Sequence, residues 1–285
     1  MPLEWIKEEF KVYQSVGEDS VQAVVETDII VPDIKPDIVN ILQVDGECKI
    51  TEKKGFQDRV MVEGSVLFKI LYVSDDDARP VRSINTASGF SQYVEIPGAK
   101  PGMKVEVECM VEHTEHTILN GRKLNVKAVV NLACKVSHAA GMDVITDVKG
   151  VKDIQALKNP VKLQSLIGEN SSRQVLREEM EVPPGNPPIL EILRSDYKIC
   201  DKELKIIENK VVTKGEIHLD TMYIGDCEDY GIQFMQHAVP FTEIVDLPGV
   251  NEGMYCDMEI SMGDVMIIPK EDGDGETRLI ACEFT

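Results

Sequence analysis

The sequence predicts an all-β protein, made of two tandem copies of a β-sandwich or open-barrel domain with only short helices. Two observations support this prediction. The second half of the chain repeats the first at an offset of 151 residues, as Val31 and Val182 show, and apolar residues recur with a period of two. A unit of about 150 residues has the size of a domain, whereas solenoid repeats have about 20–50 residues, so the repeat indicates two domains.

Two proline-containing motifs make the repeat visible. The sequence VPDIKPDIVNIL at 31–42 returns as VPPGNPPILEIL at 182–193. Further on, IPGAKPGM at 96–103 returns as LPGVNEGM at 247–254. Features that both copies keep must serve the fold or a shared surface, and features of one copy alone are not expected to form a common active site.

The repeat sets the expected domain boundaries. We predict a first domain at 1–140, a connection at 141–156 and a second domain at 157–285. The last predicted strand, Leu279–Phe284, is followed by Thr285, which aligns inside a strand of the first copy. We therefore expect either a longer natural protein or an unusually short last strand.

The long strands are predicted from alternating burial. Every second residue of Val60–Val73 is apolar or small, and residues 211–224 repeat the pattern. Gly64 and Gly215 occupy the same place in the two copies. A glycine shared inside a strand is typical of a bulge or bend where a long strand turns a sheet corner, and we predict one at each of these positions.

Further strands are predicted at Val105–Val111 and Leu124–Val136, with a tight hairpin at Asn120-Gly121 between them. The equivalent hairpin of the second copy is longer and acidic, at Glu271–Glu276. Each domain is expected to hold about seven to nine strands.

Helix is expected only in short pieces because proline fits the first helical position. The predicted pieces are Pro36–Leu42, Pro187–Leu193 and Gly150–Leu157. The repeated Pro-Gly pairs at 97–98 and 248–249 predict tight turns.

Composition excludes several classes of function. The chain has 30 Lys and Arg against 50 Asp and Glu, a net charge of −20, which argues against binding to nucleic acid or to an anionic membrane. It suits docking onto a basic partner surface. Charged residues near the start and the lack of a long apolar run predict a soluble intracellular protein without membrane insertion.

The seven cysteines lack Cys-x-x-Cys spacing and predict neither a disulfide nor a zinc framework. Cys48, Cys109 and Cys256 align with aliphatic residues of the other copy, which predicts small buried side chains. Cys200 and Cys227 align with polar residues, which predicts exposure and fits a reducing compartment.

No catalytic, cofactor-binding or metal-ligating residue is assigned from the sequence, and no cofactor is expected. His113 and His116 are three residues apart on a predicted strand, so they point to opposite faces and are interpreted as surface histidines. The remaining candidates are scattered histidines and acidic turns: His138, His218, His237, Glu271–Glu276, Asp75–Asp77 and Asp226–Asp229. The acidic segments are interpreted as solvated turns because they lack calcium-loop spacing.

Four segments carry a resemblance to a known family: VPDIKPDI at 31–38, EGSVLFKILYV at 63–73, IPGAKPGM at 96–103 and LNGRKLNVKA at 119–128. They cover most of 31–136 and resemble the SPOCS domain of SipL-type clostridial spore coat morphogenetic proteins. The second copy resembles it more loosely, through Pro183, Pro187, Gly215, Tyr223, Pro248 and Gly249.

The resemblance implies a non-enzymatic adaptor of spore coat assembly in the mother-cell cytoplasm, at the forespore surface. Its implied partners are spore coat proteins and the stage IV coat-scaffold ATPase, with self-association as a further expectation. Such proteins usually end in a LysM domain, which this sequence does not contain. We expect contacts through sheet edges and acidic loops.

A second hypothesis is a module that binds glycan or peptidoglycan, since β-sandwiches often do so. The low aromatic content of 5% and the single tryptophan, Trp5, argue against it because sugar platforms need exposed aromatic faces. A hydrolase would need a polar constellation that the sequence does not offer.

Overall fold

The computed structural model describes residues 4–76, 78–150, 155, 157, 159–228 and 230–285, and these contain strands and no helix. The strands of the first copy are β1 Glu4–Ile30, β2 Ile38–Phe56, β3 Arg59–Ser74, β4 Val81–Glu95, β5 Lys104–Asn120 and β6 Lys123–Lys149. Those of the second copy are β7 Leu176–Glu181, β8 Ile189–Ile207, β9 Lys210–Gly225, β10 Ile232–Asp246, β11 Val265–Lys270 and β12 Leu279–Phe284.

The all-β prediction is confirmed, but the predicted strand count is too high. Each copy has six strands among the described residues, and several of these strands are long enough to cover a stretch in which two separate strands could lie. Both β1 and β6 have 27 residues, which is far above the usual length of about 5–6.

The strands form four three-stranded sheets, in the orders β1-β6-β5, β2-β3-β4, β10-β9-β8 and β11-β12-β7. Two compact units result. The first contains Met1–Val31, Val44–Lys69 and Asn85–Ile167, and the second contains Pro32–Gln43, Ile70–Ile84 and Gly168–Thr285.

Buried side chains follow the predicted alternation. All the inward positions of Val60–Val73 are buried, among them Val62, Val66 and Phe68 with no exposed surface. In the second unit, one core joins residues of β7, β9, β10 and β12, including Leu219, Val239, Ile280 and Phe284. Because these strands belong to two sheets, the second unit has a sandwich-like core.

The two mid-strand glycines make room for an aromatic ring. A Cβ on Gly215 would lie 2.8 Å from Cζ of Phe241, its cross-strand partner on β10. A Cβ on Gly64 would lie 2.7 Å from Cζ of Phe90. The register of β8 against β9 shifts between Cys200 and Glu203, opposite Gly215, so a bulge lies on the partner strand.

The predicted helices at Pro36–Leu42 and Pro187–Leu193 are wrong, because β2 begins at Ile38 and β8 at Ile189. In β8 the register shifts twice in this region, between Ile189 and Glu191 and between Ile192 and Arg194. Bulges of this kind bring residues three or four apart to one face, which imitates the spacing of a helix. The third predicted helix, Gly150–Leu157, lies mostly outside the described residues.

The repeated Pro-Gly pairs form the predicted tight turns, and each turn is anchored by a polar side chain. Asp58, with φ 59°, accepts a hydrogen bond on Oδ1 from the backbone N–H of Gly98 at 2.8 Å. In the second copy Asn209, also with φ 59°, accepts the same bond from Gly249 at 2.8 Å. Asp and Asn tolerate this left-handed conformation better than most residues, and each can accept the hydrogen bond from the turn. This explains why the two copies have Asp58 and Asn209 at the same position.

The predicted absence of a disulfide is wrong for one pair. Cys48 of β2 and Cys109 of β5 are joined by a disulfide in the first unit, and both are half-buried. The second copy has Ile199 and Ile260 in these places. The alignment of the two copies identified Cys48 and Cys109 as apolar positions, but it did not show that they lie opposite each other and that their sulfurs meet between the sheets. Cys227 is exposed as predicted, whereas Cys200 and Cys256 are half-buried.

Candidate functional site

The histidines of the sequence lie mostly at the surface. His113 and His116 are exposed on the edge strand β5, and His113 Nε2 lies 3.4 Å from Oε1 of Glu115. His138 lies on β6, and its Nδ1 is 2.8 Å from the backbone oxygen of Ala139. Nε2 of His237 is 2.9 Å from the backbone oxygen of Glu181. His113 and His116 are thus surface histidines, whereas His138 and His237 are half-buried, and Nδ1 of His237 is buried without a hydrogen-bond partner among the described residues.

One group of side chains in the described residues has the geometry of a three-ligand cation site. Donor atoms of Asp201, Glu216 and His218 all lie within 4.8 Å of one another. Asp201 reaches this place from the bulge of β8, where its φ is 50°. The alternation of apolar residues does not reveal this group, because the bulge in β8 brings Asp201 towards the two β9 side chains.

This group is a feature of the second copy alone. The first copy has Ile50, Ser65 and Leu67 in the equivalent positions. Asp201 and His218 are exposed and Glu216 is half-buried, so a divalent ion held here would keep water on its remaining coordination positions.

The acidic hairpin Glu271–Glu276 is organised by its own side chains. Oδ1 of Asp272 accepts hydrogen bonds from the backbone N–H groups of Asp274 and Glu276, each at 3.0 Å. Gly275 has φ 82°, a conformation in which glycine is favoured. The carboxylate thus stabilises the turn, as an aspartate in an Asx-turn does.

A partly buried charge cluster lies in the second unit. Arg82, which is 4% exposed, donates from Nη1 to Oε2 of Glu191 and from Nη2 to Oδ2 of Asp76, both at 2.7 Å. Nζ of Lys35 donates to Oε1 of Glu191 at 2.8 Å and to the backbone oxygen of Ser83 at 2.7 Å. The acidic turn at Asp75–Asp77 is therefore more than a solvated turn, although Asp77 itself lies outside the described residues.

The cluster shifts the protonation of both carboxylates. Burial raises the pKa of Glu191, but the hydrogen bonds and positive charges of Lys35 and Arg82 outweigh burial and leave the pKa below its usual value. Burial also raises the pKa of Asp76, and hydrogen bonds from Arg82 and from two backbone N–H groups lower it overall. Both side chains remain ionised near neutral pH and keep their ion pairs with Lys35 and Arg82. The ion pairs to Glu191 join the first-copy segments Pro32–Gln43 and Ile70–Ile84 to the rest of the second unit.

The edge strand β10 presents apolar side chains to solvent. Ile232, Phe234 and Ile244 are each about half exposed, at 50%, 54% and 54%. Edge strands with exposed apolar side chains are typical sites of contact with other chains. In the part of the chain that the structure describes, no helix is long and apolar enough to cross a membrane.

These features together define a class: a tandem all-β protein whose distinctive surfaces are sheet edges, acidic turns and a charge cluster. The SipL, SPOCS domain family matches this chain at residues 37–119 and 188–268, one region in each copy and more than half of the chain in total. The chain belongs to this family, which is related to sporulation and is not known for enzymatic activity. Searches of curated proteins and of solved structures gave no significant match.

Proposed function

We propose that this protein is a non-enzymatic structural adaptor of spore coat assembly that acts through protein–protein contacts. The observation that carries the proposal is the match of one sporulation-related domain family to both copies. Two adjacent copies of a β domain offer more edges and turns to other chains than a single copy does.

The surface supports a role in binding other proteins. Half-exposed apolar side chains on β10 offer an edge for strand or side-chain contacts, and the net charge of −20 favours a basic partner surface. We propose that the partners are spore coat proteins, with the stage IV coat-scaffold ATPase first among them, and that the protein also associates with itself. Its proposed location is the mother-cell cytoplasm, at the forespore surface.

Co-sedimentation with the purified stage IV ATPase, polymerised with ATP, tests the proposal. The chain is expected to sediment with the polymer in proportion to the ATPase present and to stay in the supernatant without it. If the contact pairs the net charge of −20 with a basic surface of the ATPase, retention falls as salt is raised from about 50 to 200 mM.

A parallel incubation with insoluble peptidoglycan and chitin provides the contrasting outcome. An adaptor of the proposed kind is not retained on either polymer. Retention on peptidoglycan together with no binding to coat proteins would contradict the adaptor role and support a glycan-binding module.

A further inference from the structure

The outer face of β9 carries two side chains that are common metal ligands, Glu216 and His218. They are two residues apart, so they point to the same side of the sheet. The alternate residues Ile217 and Leu219 are buried, so this side faces away from the core. Nε2 of His218 lies 3.3 Å from Oε2 of Glu216. Two donors at about 2.0–2.1 Å from one tetrahedral ion are roughly 3.3–3.4 Å apart, so this pair already has the spacing of two zinc ligands.

The third donor of the group comes from the neighbouring strand. The register of β8 against β9 shifts between Cys200, which pairs with Glu216, and Glu203, which pairs with Lys214. Asp201 lies in this bulge with φ 50°. Its carboxylate oxygen is within 4.8 Å of the donor atoms on β9. Because the side chain is exposed, rotation about its χ angles can close the remaining gap of at most roughly 1.5 Å.

The two carboxylates of the group have no positively charged side chain to neutralise them. Among the described residues, no lysine or arginine forms an ion pair with Asp201 or Glu216, and the side-chain partner of Glu216 is His218. Lys198 pairs in register with His218, and Lys214 lies two residues before Glu216, but neither amine forms an ion pair with the group. Like charges at this distance repel each other, and a bound cation offsets that repulsion.

A second histidine–carboxylate pair shows how this group differs from ordinary surface residues. On β5, Nε2 of His113 lies 3.4 Å from Oε1 of Glu115, which is also two residues away. There, Nζ of Lys127 lies 3.6 Å from the other oxygen of Glu115 and supplies a positive charge. No third ligand joins that pair in the part of the chain that the structure describes. It is therefore a matched control for the group on β8 and β9.

The repeat shows that the fold does not require the three polar side chains. The first copy has Ile50, Ser65 and Leu67 at the equivalent positions, and it folds into the same kind of strands. The donor set is therefore a property of the second copy alone, and its role is one that the first copy does not share.

The chemistry of the donors selects the class of ion. One imidazole nitrogen and two carboxylates suit zinc and related first-row transition ions, because imidazole is a ligand that these ions prefer. Calcium takes 6–8 oxygen ligands, and magnesium demands near-ideal octahedral geometry with oxygen, so neither fits a three-residue group that contains histidine. Zinc is often held by three protein ligands, with water in the fourth position.

We propose that Asp201, Glu216 and His218 bind one divalent transition-metal ion of the zinc type. The ion joins β8 to β9 at the bulge, where the regular ladder between the strands is interrupted. Its role is structural, because two of the three ligands are exposed and a catalytic zinc needs a dry, shaped cavity. The proposal assigns a ligand to the second copy, which the adaptor role itself does not require.

A zinc titration of the whole chain tests the proposal. The chain carries Cys227→Ser, which removes the exposed thiol as a competing ligand. Zn²⁺ is expected to bind saturably at one ion per chain, to raise the thermal midpoint and to slow amide hydrogen exchange at residues 200–203 and 214–218. Mg²⁺ at the same concentration is expected to have none of these effects. No saturable binding of Zn²⁺, or protection confined to other segments, would overturn the proposal.

Substitution of the ligands locates the ion. His218→Ala and Asp201→Asn are each expected to weaken zinc binding at least about tenfold, since even the loss of an outer-shell partner of a metal ligand costs about 10–100-fold. Both side chains are exposed, so the circular dichroism of the variants without zinc is expected to match that of the parent chain. His113→Ala is the control and is expected to leave zinc binding unchanged. Zinc binding by His218→Ala and Asp201→Asn as tight as that of His113→Ala would contradict the assignment.

Discussion

At the scale of single residues, the two mid-strand glycines have no room for a side chain, and the alternation of apolar residues in the strand does not reveal this. At Gly64, an added Cβ would lie 2.6 Å from the backbone oxygen of Lys49, in addition to its close approach to the ring of Phe90. A backbone oxygen cannot rotate away as a side chain can, so the strands themselves would have to shift.

We expect Gly64→Ala to destabilise the protein by about 1–3 kcal/mol, the usual cost of overpacking. Gly273→Ala is the matched control, because a Cβ added at Gly273 would meet nothing within 4 Å. Urea unfolding followed by circular dichroism compares the two. An unchanged midpoint for Gly64→Ala would contradict the packing at this position.

A second prediction at this scale concerns Glu191. Its folded-state pKa lies below the ordinary value of 4.5, so its ion pairs add stability above that value and lose it as pH falls through the folded-state pKa. Glu191→Gln is expected to lower the free energy of unfolding by roughly 1–3 kcal/mol at pH 7. In acid, where wild-type Glu191 becomes protonated, the difference in unfolding free energy between the variant and the wild type is expected to become smaller.

The surface pair of Glu179 and Lys270 supplies the control for that prediction. Both side chains are about half exposed, so Glu179→Gln is expected to change stability by less than about 0.5 kcal/mol. Urea midpoints measured from pH 7 to pH 3 decide the matter. A constant gap between Glu191→Gln and wild type across this range would show that ionisation of Glu191 does not contribute to the stability of the fold.

At the scale of elements, the disulfide joins strands of two different sheets, β2 and β5. Its cysteines are 61 residues apart in sequence, and the chain-entropy account assigns about 4 kcal/mol to closing a loop of this size. We expect the double substitution Cys48→Ser and Cys109→Ser to lower the thermal midpoint, as reduction of the wild type also should.

Thiol labelling under native, non-reducing conditions checks the same bond. The exposed Cys227 is expected to react first, and Cys48 and Cys109 only after reduction. Burial raises the pKa of Cys134 to about 11 and that of Cys282 to about 12, so these thiols should react slowly. Prompt labelling of Cys48 and Cys109 without a reductant would contradict the bond.

Elements with simple alternation could be predicted from sequence, and elements with bulges could not. Val60–Val73 became β3 and Leu279–Phe284 became β12, because every inward residue of these segments is apolar or small. By contrast, the shifts in β8 imitated helical spacing and moved Asp201 beside Glu216 and His218. Register across strands depends on partners distant in sequence, which a local pattern does not contain.

At the scale of the whole molecule, the architecture and the family could be predicted from the repeat, whereas the Asp201 group and the disulfide could not. The repeat also works as an internal control. Positions such as Asp58 and Asn209 perform the same task in both copies, whereas the Asp201 group and the disulfide belong to one copy each. Differences between the copies therefore indicate where their individual roles lie.

Fluorescence localisation of the full-length tagged protein through sporulation of its native host tests the proposed role in coat assembly. We expect a shell around the forespore that forms when the stage IV ATPase is present and is lost when that ATPase is deleted. A diffuse signal throughout sporulation, unchanged by the deletion, would contradict the role in coat assembly.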